Sequence, residues 1–447
     1  SVLKKKALQI GLGEKDCLIV KGKGFIGFDF GKETCGGIRI LTSWAESGSA
    51  KIRLRFGESL AEAYSDIGYK NSTNDHSPRD FECDICSLSD LTFGQTGFRF
   101  VRIDFIEAKQ VKIKAVAAEE KILNIKPRYS YKGEDETIGR IFDAAKRTID
   151  LCAGGEYLWD GIKRDRLVWI GDIYPEMLAL TTLYGRTEII EKSLDFIKEA
   201  TVLPAVMNDM PTYSMWWIIV LYDYYRIIGC KDFLDKQIDY LEELVKVLNS
   251  NVGENGELNY DVFVDWPTRG EKDEAAGTRC INLAAAEKAA KILKMYGKKT
   301  EYACEMIGKL KKGPFSIESK KQVIGLKYYA LGEISDNEYD LLVKGGAAGL
   351  STFMSYFILT AIASKDKKLA VRIMKDYYGK MLALGATTFW EDFDVSWAEN
   401  AGRIDVFPVK GKADIHGDFG AFCYKGYRHS LCHGWSSGVI KFIEENC

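Results

Sequence analysis

The densest group of chemically reactive side chains lies in residues 159–172, which read WDGIKRDRLVWIGD. Three carboxylates, three cations and two tryptophans occur within these fourteen residues. Their apolar positions fit neither a helical stripe nor a strand alternation, so we predict a loop that leads into a helix near 172–177. Such a loop can be a solvated face with weak ion pairs. Tryptophans beside carboxylates favour a functional loop instead, because a sugar ring is apolar on its faces and hydroxylated at its edge.

Four later segments place a carboxylate or a histidine near an aromatic residue. They are Asn208 and Asp209 before Trp216, Asp265 with Trp266, Trp390 with Glu391, and His433 with Trp435. Each segment alone is equally well explained as an aromatic core contact near a surface charge. Because four of them accompany residues 159–172, we predict that they share one site.

Two carboxylates at such a site suit the hydrolysis of a glycosidic bond. One carboxylic acid protonates the leaving oxygen, and a second carboxylate acts on the opposite face of the ring. We predict that Asp165 and Glu391 form this pair. The sequence has no nucleophile elbow, phosphate-binding glycine loop or HExxH motif, and the lone CxxC of Cys83 and Cys86 is weak evidence for zinc. We therefore expect no metal and no cofactor.

Composition narrows the partners and the compartment. The 447 residues include 62 Lys plus Arg and 64 Asp plus Glu, a net charge of −2. The chain therefore lacks the excess of basic residues that is typical of nucleic-acid-binding proteins. We find no pattern of a secretory leader, so we expect no export. We also find no run of about 18–20 apolar residues, the length that a membrane helix needs. Eleven cysteines favour reduced thiols and a cytoplasmic location. We predict a monomer or homodimer that binds neither nucleic acid nor membrane.

The chain changes its pattern near residue 127. We predict that residues 1–127 form an antiparallel β-sandwich of two sheets, with strands at 17–20, 25–30, 37–41, 51–56, 98–105 and 110–116. We predict that residues 128–447 form about twelve helices, at 141–152, 173–183, 188–199, 213–228, 232–248, 278–295, 300–311, 318–331, 337–343, 351–363, 367–381 and 430–444. Functional loops after alternate helices favour an (α/α)6 barrel. Sequence alone does not separate this barrel from an open superhelix, but no repeat of about 30 to 45 residues supports the superhelix.

Residues 159–172, with GATTFWE at 385–391 and SLCH at 430–433, resemble the bacterial α-L-rhamnosidases of glycoside hydrolase family 78. The N-terminal motifs agree: FDFGKE at 28–33, RFGESL at 55–60 and TGFRFVRI at 96–103 resemble that family's β-sandwich before its (α/α)6 barrel. The resemblance covers nearly the whole chain. It implies an enzyme that cleaves terminal α-L-rhamnosyl residues from an oligosaccharide or glycoside with inversion.

The resemblance also implies roles for individual residues. By position the general acid falls on Asp165, and the general base that activates water falls on Glu391. The implied substrate-binding residues are Asp160, Arg164, Trp169, Asp172, Asp265, Trp266 and His433, and Trp216 and Trp390 are further aromatic candidates from the segments above.

Two features depart from the family pattern. Many members have glutamate at the acid position, where this chain has an aspartate. An insertion at 399–427 is expected to form a loop over the cleft, with Asp414, His416 and Asp418 on its surface. His76, in the polar segment 65–84, is expected to be an ordinary loop residue.

Two other functions are compatible with these residues. A carbohydrate-binding protein without catalysis would keep the tryptophans and lose a carboxylate, and this chain keeps both carboxylates. An (α/α)6 hydrolase or lyase that acts on another sugar, such as a uronic acid, would need positively charged side chains to bind the carboxylate of that sugar. Lys163, Arg164 and Arg166 could supply them.

Overall fold

A computed structural model describes residues 17–447 of the chain, so the leader prediction for residues 1–13 lies outside the described residues. The N-terminal strands are β1 (Leu18–Lys21), β2 (Gly24–Ala45), β3 (Ser49–Gly57), β4 (Asp80–Cys86), β5 (Ser89–Glu107) and β6 (Gln110–Glu120). They pair in the order β1-β6-β2-β5-β3-β4, and every pair is antiparallel. The prediction of an antiparallel N-terminal region is confirmed.

These six strands belong to one continuous sheet, which corrects the prediction of two separate sheets. β2 and β5 are 22 and 19 residues long, and their pairing shifts register after Asp29 and again after Gly36. Bulges of this kind bend a strand without ending it. The prediction divided β2 because Gly31 and Gly36 resemble turn residues; both have positive φ but lie inside the strand. Apolar residues of β2 to β6 enclose a single core.

The rest of the described chain is mainly helical, as predicted. Its helices of eight or more residues are α1 (Glu136–Cys152), α2 (Ile173–Tyr184), α3 (Glu188–Ala200), α4 (Pro211–Ile228), α5 (Ile238–Ser250), α6 (Glu274–Met295), α7 (Glu301–Leu310), α8 (Lys321–Leu331), α9 (Asp336–Val343), α10 (Ser355–Ala363), α11 (Lys367–Ala383) and α12 (Val439–Asn446). Among residues 17–447 no helix is long and apolar enough to cross a membrane.

Most predicted helices differ from the structure by a few residues at their ends, and two differ more. The helix predicted at 232–248 is divided into a short Lys231–Leu234 helix and α5. The helix predicted at 430–444 begins only at Val439, because the backbone at 430–434 is hydrogen-bonded to other loops. These loop contacts matter for the site described below.

The helices differ in how they are buried. α2, α4 and α6 bury nearly every side of their surface, whereas α1, α3 and α5 bury one apolar stripe. The even-numbered helices contact one another in sequence order, from α2 through α4, α6, α8 and α10 to α12, and α12 contacts α2. The loops that enter these helices therefore lie close together although they are far apart in sequence.

The sheet packs directly on the helical part. Cys35 of β2 joins Leu151, Cys152, Ile162 and Cys432 in a small buried apolar cluster. In β5, Gly97 lies so close to Ile162 that a Cβ on it would fall 2.7 Å from the isoleucine side chain. A side chain at position 97 would therefore push the loop 159–172 away from the sheet.

Candidate active site

A cavity of about 290 Å³ lies where the loops of the helical part meet. Eight of the eleven predicted site residues line it: Asp160, Arg164, Asp165, Trp169, Asp172, Trp266, Glu391 and His433. Carboxylates, a guanidinium, an imidazole and aromatic rings thus converge on one space that can hold a single sugar ring.

Backbone hydrogen bonds fix the three loops that carry these residues. Gly161 and His433 form an antiparallel bridge, and the Gly434 N–H donates to the Asp160 carbonyl at 2.6 Å. The Glu391 N–H donates to the Ser430 carbonyl at 3.0 Å. Residues 430–434 therefore tie the loop of Asp160 to the loop of Glu391, and this pairing delays the start of α12.

Arg164 links the two predicted catalytic carboxylates. Its Nη2 donates to Glu391 Oε1, and its Nη1 donates to Asp165 Oδ1 at 3.2 Å. The other Glu391 oxygen accepts from the Ser430 N–H at 3.1 Å. Burial raises the pKa of Glu391, while Arg164 and the Ser430 N–H oppose that rise. The arrangement favours a Glu391 carboxylate that can accept a proton.

Asp165 lies in a different environment. Its side chain is 16% exposed, against 1% for Glu391. Asp165 and Arg166 both have left-handed backbone conformations, with φ of +52° and +56°. Such conformations are costly for residues other than glycine and are often found at functional sites. The turn is stabilised by Arg166, which donates to the carbonyls of Gln95 and His76 at 2.9 and 3.0 Å.

A second group of ionisable side chains lines the buried part of the cavity. His433 Nε2 lies 3.7 Å from Asp160 Oδ2 and 3.9 Å from Asp172 Oδ2. Burial raises the pKa of both aspartates well above the usual value, and neighbouring carboxylates add to the rise. Burial also lowers the pKa of His433 far below its usual value, with Arg164 acting in the same direction. Carboxyl groups and an imidazole so placed can hydrogen-bond sugar hydroxyls.

The same three residues could hold a divalent cation, because one ligand atom from each lies within 4.8 Å of the others. Their remaining carboxyl oxygens are already used. Asp160 Oδ1 accepts from the Leu167 N–H at 2.9 Å, and Asp172 Oδ1 accepts from the Tyr213 hydroxyl at 3.3 Å. Each aspartate therefore keeps one oxygen, Oδ2, near His433 for a ligand hydroxyl or a cation.

Comparisons with known proteins bear on the family and the fold. Residues 129–305 match the family model of the bacterial alpha-L-rhamnosidase 6 hairpin glycosidase domain. The predicted family resemblance is confirmed. No curated protein matches the chain in sequence.

Several solved structures have a fold similar to that of this chain. A rhamnosidase from Klebsiella oxytoca with rhamnose bound is 17% identical, with a TM-score of 0.75 over 96% of this chain and 88% of its own. The family 78 rhamnosidase of Bacillus sp. GL1 is 18% identical, with a TM-score of 0.74 over 96% of this chain and 47% of its own. An α-L-rhamnosidase from Streptomyces avermitilis complexed with L-rhamnose is 12% identical, with a TM-score of 0.57 over 96% of this chain and 44% of its own. The chain thus spans less than half of the second and third proteins.

Three predicted residues do not line the cavity. Trp216 is 1% exposed and packs on Tyr174 and Phe357 in the helical core. Trp390 is equally buried and packs on Phe393. Asp265 is the N-cap of a short 3₁₀ helix: it accepts from the Thr268 N–H at 3.1 Å and from the Ser351 hydroxyl at 2.8 Å. In the structure these three residues serve core packing and helix capping.

The expectations for the insertion and for His76 also need correction. His416 and Asp414 are buried rather than on a loop surface, and Asp418 is exposed as expected. His76 is not an ordinary loop residue, because its Nδ1 lies 3.4 Å from Asp165 Oδ1. The insertion therefore packs on the protein, and a residue of the N-terminal region reaches the predicted acid.

Six lining residues were not predicted as site residues: Met210, Tyr213, Phe263, Cys423, Arg428 and Trp435. Trp435 lies within the same segment as His433, and the two rings are 4.1 Å apart, so that motif already contained the signal. Tyr213 lies in the first turn of α4, which is buried on nearly every side, so sequence periodicity does not show which residue faces the cavity.

The cations that could clamp a uronic acid in this cavity are already engaged. Lys163 is buried against Glu58 and Glu62, at 2.9 and 3.2 Å. Arg164 bonds Glu391, and Arg166 donates to backbone carbonyls. The structure therefore gives no support to a carboxylate clamp from these three residues.

Proposed function

We propose that the protein hydrolyses terminal α-L-rhamnosides by an inverting mechanism, with Asp165 as general acid and Glu391 as general base. The main support for this proposal is that Arg164 donates hydrogen bonds to both carboxyl groups. Arg164 joins a partly exposed acid at the cavity mouth to a fully buried base. Two carboxyl groups in different environments are what acid and base roles at one pH require.

The residues suggest how the reaction proceeds. Asp165 gives its proton to the glycosidic oxygen as the bond to the anomeric carbon breaks. Glu391 takes a proton from the water that attacks the same carbon from the opposite face, so the product has the inverted configuration. Exchange with solvent then restores the proton on Asp165 and removes the one on Glu391.

The remaining lining residues would bind the sugar. Asp160, Asp172 and His433 are placed to hydrogen-bond its hydroxyls, and the faces of Trp169, Trp266 and Trp435 are suited to its apolar side. The rhamnose bound to the Klebsiella protein and the L-rhamnose bound to the Streptomyces protein support rhamnose as the sugar.

We also propose the finer architecture that this function needs. The closed order of contacts among α2, α4, α6, α8, α10 and α12 supports an (α/α)6 barrel with these helices as its inner ring. The single core inside the bent N-terminal sheet supports a β-sandwich formed by one sheet. We place the boundary between the two domains, 1–127 and 128–447, between the end of β6 and the start of α1.

The test is hydrolysis of p-nitrophenyl α-L-rhamnoside by the wild type and by Asp165→Asn and Glu391→Gln, with proton NMR following the first anomer formed. We expect each variant to lose roughly 10²- to 10⁴-fold in rate, and the β-anomer to appear first. Asp143→Asn, at an exposed position on α1, is the control and should keep full activity.

Other outcomes would identify another function. Retention of configuration would contradict the inverting mechanism. If the folded wild type binds rhamnose without cleaving rhamnosides, the protein is a carbohydrate-binding protein. If it neither binds rhamnose nor cleaves a rhamnoside, the rhamnosidase proposal fails and other sugars must be screened.

A further inference from the structure

A second cavity, of about 640 Å³, lies beside the candidate active site. Neighbouring residues on the same loops line the two cavities: Trp266 faces the first and Pro267 the second, and Glu391 faces the first and Asp392 the second. The rings of Trp266 and Phe422 stack at 5.3 Å between the two spaces. A ligand that extends from the first cavity across this aromatic rim would enter the second.

Three lysines line this second cavity, and their partners differ. Lys320 pairs with Glu271 at 2.9 Å. Lys321 is 6% exposed and donates to the Gly346 carbonyl at 2.8 Å, yet within residues 17–447 no carboxylate lies within 4.0 Å of its ammonium group. Lys344 is exposed at the end of α9, and it too has no ion-pair partner in the described part of the chain.

A buried ammonium group without a counter-ion is costly, and proteins usually pair such a charge. Burial lowers the pKa of Lys321 to about 8, so the group is still largely charged near neutral pH. An anion in the cavity would supply the missing partner. Lys344, on the loop that follows α9, lines the same cavity and adds a second positive charge to it.

The two acidic residues of the second cavity, Asp392 and Asp394, accept hydrogen bonds from backbone N–H groups. Asp392 Oδ1 accepts from the Phe393 N–H, and Asp394 Oδ1 accepts from the Ser396 N–H, both at 2.8 Å. Burial raises the pKa of Asp392 to about 7, so this carboxyl is partly protonated near neutral pH. Within residues 17–447 neither carboxylate lies within 4.0 Å of a lysine ammonium group.

Aromatic side chains complete the lining. Trp397 is half-buried and Phe422 is 54% exposed, so both rings offer surface to a ligand. Rings beside polar groups are suited to a sugar, and lysines are suited to its carboxylate.

We propose that the second cavity binds the leaving-group part of the substrate, and that this part carries an acidic sugar, a uronate, whose carboxylate is held by Lys321 and Lys344. This proposal rests on the proposed rhamnosidase function. It differs from a uronate clamp in the catalytic cavity, since here the acidic sugar is the part that leaves.

The experiment compares two substrates that differ only in charge: a disaccharide with α-L-rhamnose on D-glucuronic acid, and the methyl ester of the same disaccharide. Both are given to the wild type, Lys344→Gln and Lys321→Gln/Lys344→Gln. Lys368→Gln, at an exposed lysine on α11, is the control. Uncharged p-nitrophenyl α-L-rhamnoside reports on the catalytic cavity alone.

We expect wild-type kcat/KM to be about tenfold higher for the acid than for the ester, and we expect the double variant to lose this preference. Hydrolysis of the nitrophenyl rhamnoside should stay within about twofold in every variant. If the buried Lys321 proves necessary for folding, a preference reduced in Lys344→Gln and unchanged in Lys368→Gln still supports the proposal.

Equal rates for acid and ester in the wild type would overturn the proposal, as would an equal loss on both substrates in the double variant. These outcomes are distinct from failure of the proposed function. In that case the nitrophenyl rhamnoside itself would not be cleaved by the wild type.

Discussion

The N-terminal sheet and the helical part contribute charged groups to the same site in different ways. In the helical part Asp160, Asp172 and His433 have pKa values displaced by burial, and they face the cavity. In the N-terminal part Glu58 and Glu62 are just as buried, but they face a cation instead of the cavity. In the proposed mechanism the helical part supplies the reacting and binding groups, and the N-terminal part holds the loop 159–172, which carries Asp160 and Asp172.

Lys163 is where this support is concentrated. Its ammonium group lies 2.9 Å from Glu58 and 3.2 Å from Glu62, and it donates to the carbonyls of Tyr427 and His429 at 2.9 and 2.6 Å. Burial alone would lower the pKa of Lys163, but the two glutamates raise it above the usual value. One side chain thus joins the N-terminal part, the loop 159–172 and the insertion.

Replacing Lys163 should have the largest effect on stability. Lys163→Met leaves Glu58 and Glu62 buried without their cation, so we expect a loss of about 3–5 kcal/mol in the free energy of unfolding. Urea denaturation followed by circular dichroism measures it. The matched control is Lys51→Met, which removes an exposed ion pair with Glu82 at 3.2 Å and should change the stability far less than Lys163→Met.

A similar small loss in both variants would mean that the Lys163 network adds little to folding. The division between a supporting and a reacting region would then be wrong.

Arg164 tests the reacting side of the comparison. Burial raises the pKa of Glu391 and Arg164 opposes that rise, so removing the cation should raise the pKa further. A general base must be ionised, and therefore the acid limb of the kcat/KM profile should move to higher pH in Arg164→Gln. We also expect roughly a hundredfold loss at pH 6.

Arg164→Lys is the comparison variant, because it keeps a positive charge and should shift the limb less than Arg164→Gln. An unshifted acid limb in Arg164→Gln would show that Glu391 is not the group that limits activity at low pH.

His76 is the point where the N-terminal part comes closest to the reaction. Its Nδ1 lies 3.4 Å from Asp165 Oδ1, and its Nε2 lies 3.2 Å from Arg428 Nη2. His76 Nε2 also lies 3.4 Å from Asp75 Oδ2. A guanidinium only donates, so if Nε2 accepts from Arg428, the proton of a neutral ring is on Nδ1 and faces Asp165. We expect removal of this contact to lower kcat about tenfold, because Asp165 becomes a carboxylate as it gives up its proton.

The suitable variants are His76→Gly and His76→Asn. The φ of +64° at this position suits glycine and asparagine better than alanine. His76→Gly should reduce kcat with little change in KM or stability, and His76→Asn, whose amide can donate in place of Nδ1, should restore part of the activity. Equal loss in both variants, or a loss confined to stability, would leave His76 with a structural role only.

The sequence predicted much of this arrangement but not its long-range pairing. Motif spacing located Asp165 and Glu391, and apolar periodicity located the helices. Neither could show that Glu58 and Lys163, which are about a hundred residues apart, form an ion pair. His416 was expected on the surface of an insertion, although its Nδ1 lies 2.8 Å from the Ser59 hydroxyl.

The errors have the same physical origin. Trp216 and Tyr213 share a helix that is buried on all sides, so periodicity does not distinguish the cavity face from the core face. Asp265 and Trp266 are neighbours, and the carboxylate caps a helix while the indole lines the cavity. Local patterns predict elements, whereas the direction of each side chain depends on packing between distant segments.

The smallest predicted effect concerns Glu176, a buried carboxyl group of the helical part. It is 1% exposed, and its Oε1 has no hydrogen-bond partner in the described residues. Burial raises its pKa well above 4.5, and the carboxylates of Asp172 and Asp160 add to the rise. Because the pKa is higher in the folded state, Glu176 reduces stability progressively as the pH rises above about 4.5.

Glu176→Gln should remove that dependence. We expect the variant and the wild type to be equally stable below pH 4.5, and we expect the variant to be more stable by about 1 kcal/mol at pH 8. Urea denaturation across this pH range measures the difference, with exposed Glu134→Gln as the control. Identical pH dependence in wild type and Glu176→Gln would mean that Glu176 is ionised and stabilised in the folded protein. Glu176 would then be stabilised as a carboxylate, as Glu58 and Glu62 are beside Lys163, and the contrast with those two glutamates would be lost.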